Sequence, residues 1–207
     1  TFSYLEEIPI RSKIRERLVE LWNYERYETP AKRGGRYFFR RNDGSQDQYA
    51  LYWMALLGDE PQLILDPNSL SEDGTVALSG YEVSKDGRLL AYGLSDAGSD
   101  WQEWHVREVD SGRDLDDHLH WIKFSGASWK PDGAGFYYSR YNAPQEGVEF
   151  KSVNQNQKLY YHRIGTCQDE DILIYERPDH PSWGFQGEVT EDGRYLIVHV
   201  WEGTRRE

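Results

Sequence analysis

Asp86-Gly87-Arg88-Leu89-Leu90-Ala91-Tyr92 and Asp192-Gly193-Arg194-Tyr195-Leu196-Ile197-Val198 are two copies of one short text, an Asp-Gly pair followed by an aromatic or aliphatic run. Asp-Gly suits a tight turn because glycine reaches positive φ without a steric cost, and the run behind it suits a buried strand. The same unit stands at Asp132-Gly133-Ala134-Gly135-Phe136-Tyr137-Tyr138 and, without the aspartate, at Gly34-Gly35-Arg36-Tyr37-Phe38-Phe39. The glycines at 35, 87, 133 and 193 recur at roughly 50 residues, within the range of repeat architectures built from supersecondary units.

Working outward from each turn, further strands are expected. A strand precedes the turn at Val76 to Val83, Phe124 to Trp129 and Trp183 to Val189. Others follow it: Tyr49 to Leu56 and Gln62 to Leu65 in the first repeat, Trp104 to Val109 in the second, Lys158 to Arg163 and Asp171 to Tyr175 in the third. Four short antiparallel strands per repeat is the sequence form of a propeller blade, whose sheet buries its faces against the neighbouring blades. A sandwich need not repeat one turn-strand motif, and an up-and-down barrel has no reason to group strands in fours. The fold class read from the chain is therefore all-β, a partial β-propeller of about three and a half four-stranded blades. The text ends shortly after a strand, so neighbours are expected to cover the open face.

Before the first repeat lies the only stretch with helical periodicity, from Pro9 to about Trp22, where Ile10, Ile14, Leu18, Leu21 and Trp22 share one face. The opposite face, with Arg11, Lys13, Arg15, Glu16, Arg17 and Glu20, reads as solvated. The division expected is a helical segment over residues 1–23 and blades over 24–207.

Composition narrows the function classes. Of 207 residues, 15 are Tyr, 8 Trp and 7 Phe, and 19 Gly and 8 Pro punctuate them, a mixture that favours short strands joined by turns. With 36 acids against 24 bases the net charge is -12, which repels nucleic acid and anionic membrane surfaces. The mean hydropathy of -0.84 and the short apolar runs give no spanning segment, and the visible start does not read as a secretory signal. A lone Cys167 makes neither an internal disulfide nor a cysteine zinc cluster and fits a reducing compartment.

No complete active site is legible. Gly93-Leu94-Ser95-Asp96-Ala97-Gly98 is one residue too long for a nucleophile elbow and reads as a polar loop. Cys167, five residues from His162, has no setting that marks a catalytic thiol. His118-x-His120, preceded by Asp114, Asp116 and Asp117, would point two rings to one face on a strand, but a metal needs two more ligands; the expectation is an exposed acidic loop and no metal. Glu6-Glu7, Asp96 with Asp100, and Asp169-Glu170-Asp171 read as solvated surface. Trp101, Trp104, Trp121 and Trp129 read as packing between sheets rather than as stacking platforms.

The ordered blocks Lys32-Arg33-Gly34-Gly35-Arg36-Tyr37-Phe38-Phe39, Leu65-Asp66-Pro67-Asn68, Gly98-Ser99-Asp100-Trp101, Trp121-Ile122-Lys123-Phe124-Ser125, Phe136-Tyr137-Tyr138-Ser139-Arg140 and Gln157-Lys158-Leu159-Tyr160-Tyr161-His162 resemble the prolyl oligopeptidase family over nearly the whole chain. The resemblance implies a cytoplasmic serine endopeptidase that cleaves short peptides after proline. In that family an α/β-hydrolase domain carrying Ser, Asp and His is capped by a seven-bladed propeller. It further implies that the helix packs with the hydrolase domain, and that blades from about Tyr24 onward form the first half of the propeller and filter substrates. Its partners would be short proline-containing peptides, the remaining blades and the hydrolase domain, with no cofactor. No triad residue maps to a number in this chain. Phe124 matches the phenylalanine that lines an apolar substrate pocket, and Asp100 matches an acid near the active site; blade packing and a turn acid are the competing readings of the two. A stand-alone interaction propeller and a carbohydrate-binding propeller with exposed tryptophans are the alternatives; the chain has no Trp-Asp dipeptide of the WD-repeat kind.

Overall fold

The computed structural model describes residues 2–144, 153–203 and 205–206. A short helix α1 (Phe2–Glu6) precedes the expected one, α2 (Arg11–Trp22). Pro9 and Ile10 form the turn that leads into α2, with Ile10 at its N-cap. Strands β1 (Arg26–Tyr27) and β2 (Ala31–Arg33) both pair with β3 (Arg36–Asn42), which pairs with β4 (Ala50–Met54), and β4 with β5 (Gln62–Leu65). β1 and β2 are one inner strand broken at Pro30, which has no N–H to give to the ladder.

The second sheet runs in order β6 (Ala77–Val83), β7 (Leu89–Ser95), β8 (Gln102–Glu108), β9 (Asp114–Ile122). In the third the order is β10 (Ser128–Trp129), β11 (Gly135–Arg140), β12 (Lys158–Arg163), β13 (Ile172–Tyr175). The fourth has β14 (Trp183–Val189), β15 (Leu196–Glu202) and β16 (Arg205–Arg206). In these three sheets every pairing is antiparallel between chain neighbours, the meander of a propeller blade.

Packing follows from parity. In β7, Leu90 and Tyr92 lie in one core with Phe38, Leu51, Ile64 and Leu65 of the first sheet. Ala91, between them, lies in another core with Trp129, Phe136 and Tyr138 of the third. Successive side chains point to opposite faces, so a strand buried on both sides reads as a continuous apolar run. Each interface also carries a polar tie. Arg107 Nη1 donates to the Ile64 carbonyl at 2.7 Å, Trp129 Nε1 to the Glu82 carbonyl at 2.9 Å, and the Val189 N–H to Ser128 Oγ at 2.9 Å.

The glycine turns touch one another. A Cβ on Gly34 would lie 1.9 Å from the Asp86 carbonyl oxygen, and one on Gly193 2.2 Å from Pro131 Cγ, so each turn is seated against the next repeat's. Asp86, Asp132 and Asp192 each accept from the N–H two residues on, at 3.0 to 3.1 Å.

Three expectations change. β10 is two residues long instead of running from Phe124, which takes a left-handed φ of 54° and belongs to the connection from β9. The acidic segment before His118 is not a loop but part of β9, and Asp117 is buried there. Asp171, read as surface, buries its side chain against His162. Of the four tryptophans, Trp104 and Trp129 are core, whereas Trp101 and Trp121 are half-buried at one end of the second sheet.

Candidate functional site

Because the strands alternate in direction, the Asp-Gly turns fall at one end of each blade and the connections between blades at the other. The β7–β8 loop, the β9–β10 connection and the residues after β11 share that second end. This places Asp100, Phe124, Tyr141 and Asn154 around one corner of the second and third blades.

Phe124 is held from both sides. The Trp121 carbonyl accepts from the Tyr141 N–H at 3.0 Å, Ile122 is buried, and the Lys123 carbonyl accepts from Gln157 Nε2 at 2.9 Å. On the far side Ser125 Oγ accepts from the Ser139 N–H at 2.8 Å. Gln157 is itself fixed by the Phe185 N–H, which donates to its Oε1 at 2.6 Å. Trp121 and Phe124 both have left-handed backbones, with φ of 61° and 54°. For bulky residues such conformations cost on the order of 1–3 kcal/mol each and persist only where surroundings impose them. The result is an aromatic residue 54% exposed on a stem hydrogen-bonded on both sides, outside the inter-blade cores.

Lys123, by contrast, is buried. Its Nζ sits 4.0 Å from the Trp101 ring centroid and 3.4 Å from Asn154 Oδ1. Burial pulls its pKa below the ordinary lysine value, and the charge of Asp100 works against that shift. Asp100 is exposed on the bend before β8, near enough to Lys123 for its charge to be felt there. Trp101 packs edge-on against Trp121 at 5.7 Å and Tyr141 at 6.0 Å, completing an aromatic corner.

Sequence reading missed a second constellation, between the second and third blades. His162 lies between Asp117 and Asp171, its Nε2 2.9 Å from Asp117 Oδ1 and its Nδ1 2.7 Å from Asp171 Oδ1, all three side chains fully buried. Tyr138 Oη donates to Asp171 Oδ2 at 2.5 Å and the Gly165 N–H to Asp117 Oδ1 at 2.6 Å. Burial pulls the imidazole pKa down, but the two carboxylates outweigh it and push it up to about 9. The ring is a charged strut joining β9, β12 and the turn before β13. With both nitrogens committed to carboxylates it cannot serve Cys167, which is free and exposed. Among the described residues no hydroxyl or thiol is paired with an imidazole in the manner of a Ser-His-Asp triad. The signal that could have found the strut is parity: Asp117 stands two residues from buried Leu119 on the same face of β9.

The family model described as the prolyl oligopeptidase N-terminal beta-propeller domain matches residues 1–207. A prolyl endopeptidase of Elizabethkingia miricola is 38% identical over 204 residues, covering 99% of this chain and 29% of its own length. A prolyl oligopeptidase of Omphalotus olearius is 36% identical, covering 94% and 29%. Among solved structures, prolyl oligopeptidase B of Galerina marginata bound to a 25mer macrocyclization substrate is 30% identical with a TM-score of 0.88, covering 97% of this chain and 30% of its own. This chain thus spans less than a third of the length of these relatives.

Proposed function

Since the chain belongs to the prolyl oligopeptidase family through its N-terminal β-propeller domain, we propose that it is the substrate-filtering portion of a serine endopeptidase that hydrolyses short peptides on the carboxyl side of proline. The observation that carries this reading is Phe124, an exposed ring on a stem pinned by Tyr141, Gln157 and Ser139. A rigid apolar side chain facing solvent suits an apolar subsite for a residue preceding the cut, because little ordering entropy remains to be lost on binding. Asp100, exposed beside Lys123, would set the charge felt by the peptide.

Residues 1–23 form a helical segment for the α/β-hydrolase domain, and 24–207 the first half of a seven-bladed ring. In support, α2 leaves Ile14, Leu18 and Trp22 about half exposed or more, an apolar stripe that the described residues do not cover. Filtering requires no nucleophile here: the propeller contributes selection and positioning, and the Ser-His-Asp chemistry belongs to the hydrolase domain. Cytoplasmic residence completes the reading, where exposed Cys167 stays reduced.

The test is cleavage of a fluorogenic Gly-Pro peptide by the full-length protein and by residues 1–207 alone. Full-length protein should cut after proline, Phe124→Ala should raise KM more than it lowers kcat, and the 207-residue chain should give no turnover. Absence of cleavage after proline by the full-length protein would overturn the reading.

A further inference from the structure

Two neighbouring strands of the second blade carry four side chains of metal-ligating type on one face. Glu103 and His105 stand two apart on β8, and His118 and His120 two apart on β9, so strand parity turns each pair to the same side. That side is opposite Trp104, Val106 and Leu119, which face the third blade.

Register brings them together. His105 pairs with His118, and the ladder then slips between Gln102 and Trp104, whose partners are Ile122 and Leu119, so that His120 and Trp121 together stand opposite Glu103. Trp121, at a φ of 61°, absorbs the extra residue of this bulge. The slip draws the Glu103 carboxylate over both rings. Its Oε2 lies 2.8 Å from His118 Nε2 and its Oε1 3.4 Å from His120 Nδ1, and the three ligand atoms are all within 4.8 Å of one another. His105 stacks on His118 with ring centroids 4.4 Å apart.

We propose that Glu103, His118 and His120 form a binding site for a divalent metal ion of borderline softness, Zn²⁺ foremost. Two imidazoles and one carboxylate are a ligand set that zinc accepts with a water in the remaining position. All three side chains are partly exposed, and Glu103 and His120 border an open cleft with Ser99, Trp101 and Trp121, so an ion can enter and keep that water. The free state holds the ligands in a Glu–His hydrogen bond at the surface, which a cation replaces at modest cost because water solvates the groups on either side of the exchange. The net charge of -12 adds a favourable field.

The experiment uses the full-length protein stripped with chelator, titrated with Zn²⁺ by calorimetry and with Co²⁺ by visible absorption. Wild type should bind an equivalent of Zn²⁺ that His118→Gln, His120→Gln and Glu103→Gln each weaken at least about tenfold. The cobalt form should show ligand-field bands that the same variants abolish. His199→Gln, at an exposed imidazole paired with Glu188 in another blade, should leave both signals intact. Melting curves in chelator should match wild type for all four variants, since the altered side chains are surface groups. Zinc affinity unchanged in the three ligand variants, or a cobalt spectrum indifferent to them, overturns the site. Neither outcome depends on whether the protein cleaves after proline.

Discussion

Strand β7 and helix α2 each carry apolar residues at the period their backbone demands, yet β7 buries Leu90, Ala91 and Tyr92 while α2 buries no residue at all. Periodicity announces that a face wants a partner; it does not supply one. For β7 the partners are the adjacent repeats of the same chain, so the pattern is satisfied on both sides of the sheet. The stripe of α2 has no repeat to meet.

The sharpest way to break this contrast is to empty an inter-blade core. Phe136 is fully buried between the second and third sheets, and Phe136→Ala should cost about 3–5 kcal/mol in denaturant unfolding of the full-length protein. A cost below that of an exposed site would mean that the blades do not share a core there.

Next in size is the charged strut. His162 is raised from 6.5 to about 9 in the folded protein, so its contribution is fully present below pH 6.5 and is lost as pH rises through 9. That shift corresponds to roughly 3 kcal/mol. The groups facing the ring are Asp117, Asp171 and, through Asp171, Tyr138, whose own pKa is pushed well above the ordinary tyrosine value by burial and by Asp171, so it stays protonated in this window. Stability measured across pH 6.5 to 9 should decline in wild type, and His162→Gln, weaker at neutral pH, should lack that component of the slope. Equal slopes in the two proteins would show that the imidazole is not charged in the fold.

The helix sharpens the contrast from its other side. If the hydrolase domain covers α2, Leu18→Ala should destabilise the full-length protein by about 2 kcal/mol; a change below about 0.5 kcal/mol is what a bare surface site gives and would leave the helix without that partner.

The smallest effect is the most diagnostic for the corner. Phe124→Gly relieves a left-handed backbone, so it should stabilise by about 1 kcal/mol while raising KM for a proline peptide. Loss of stability instead would mean that the ring is packed rather than presented.

How far the sequence could be read depends on range. Asp-Gly turns are local: the side chain of the first residue and the φ of the second act within four positions, and all four turn glycines have φ between 69° and 83°. The strand bounds of β5, β12 and β14 were legible for the same reason, since parity and turn residues act over neighbours. β9 was not, because Asp114, Asp116, Asp117 and two histidines resemble a solvated loop until the sheet supplies partners to Asp117 and a register to the rings.

The sequence alone determined the repeating glycine-led unit, the all-β propeller class and the resemblance to a peptidase family, because each is written in residues close together along the chain. Tertiary structure alone decided that Phe124 projects from a pinned stem, that Asp117, His162 and Asp171 form a buried ionic strut, and that Glu103 meets His118 and His120. Those arrangements depend on register and on contacts between residues such as those 15 to 45 positions apart, and a slip of β8, β9 or β12 by a single residue would turn Glu103, Asp117, His118, His120 and His162 to the other face.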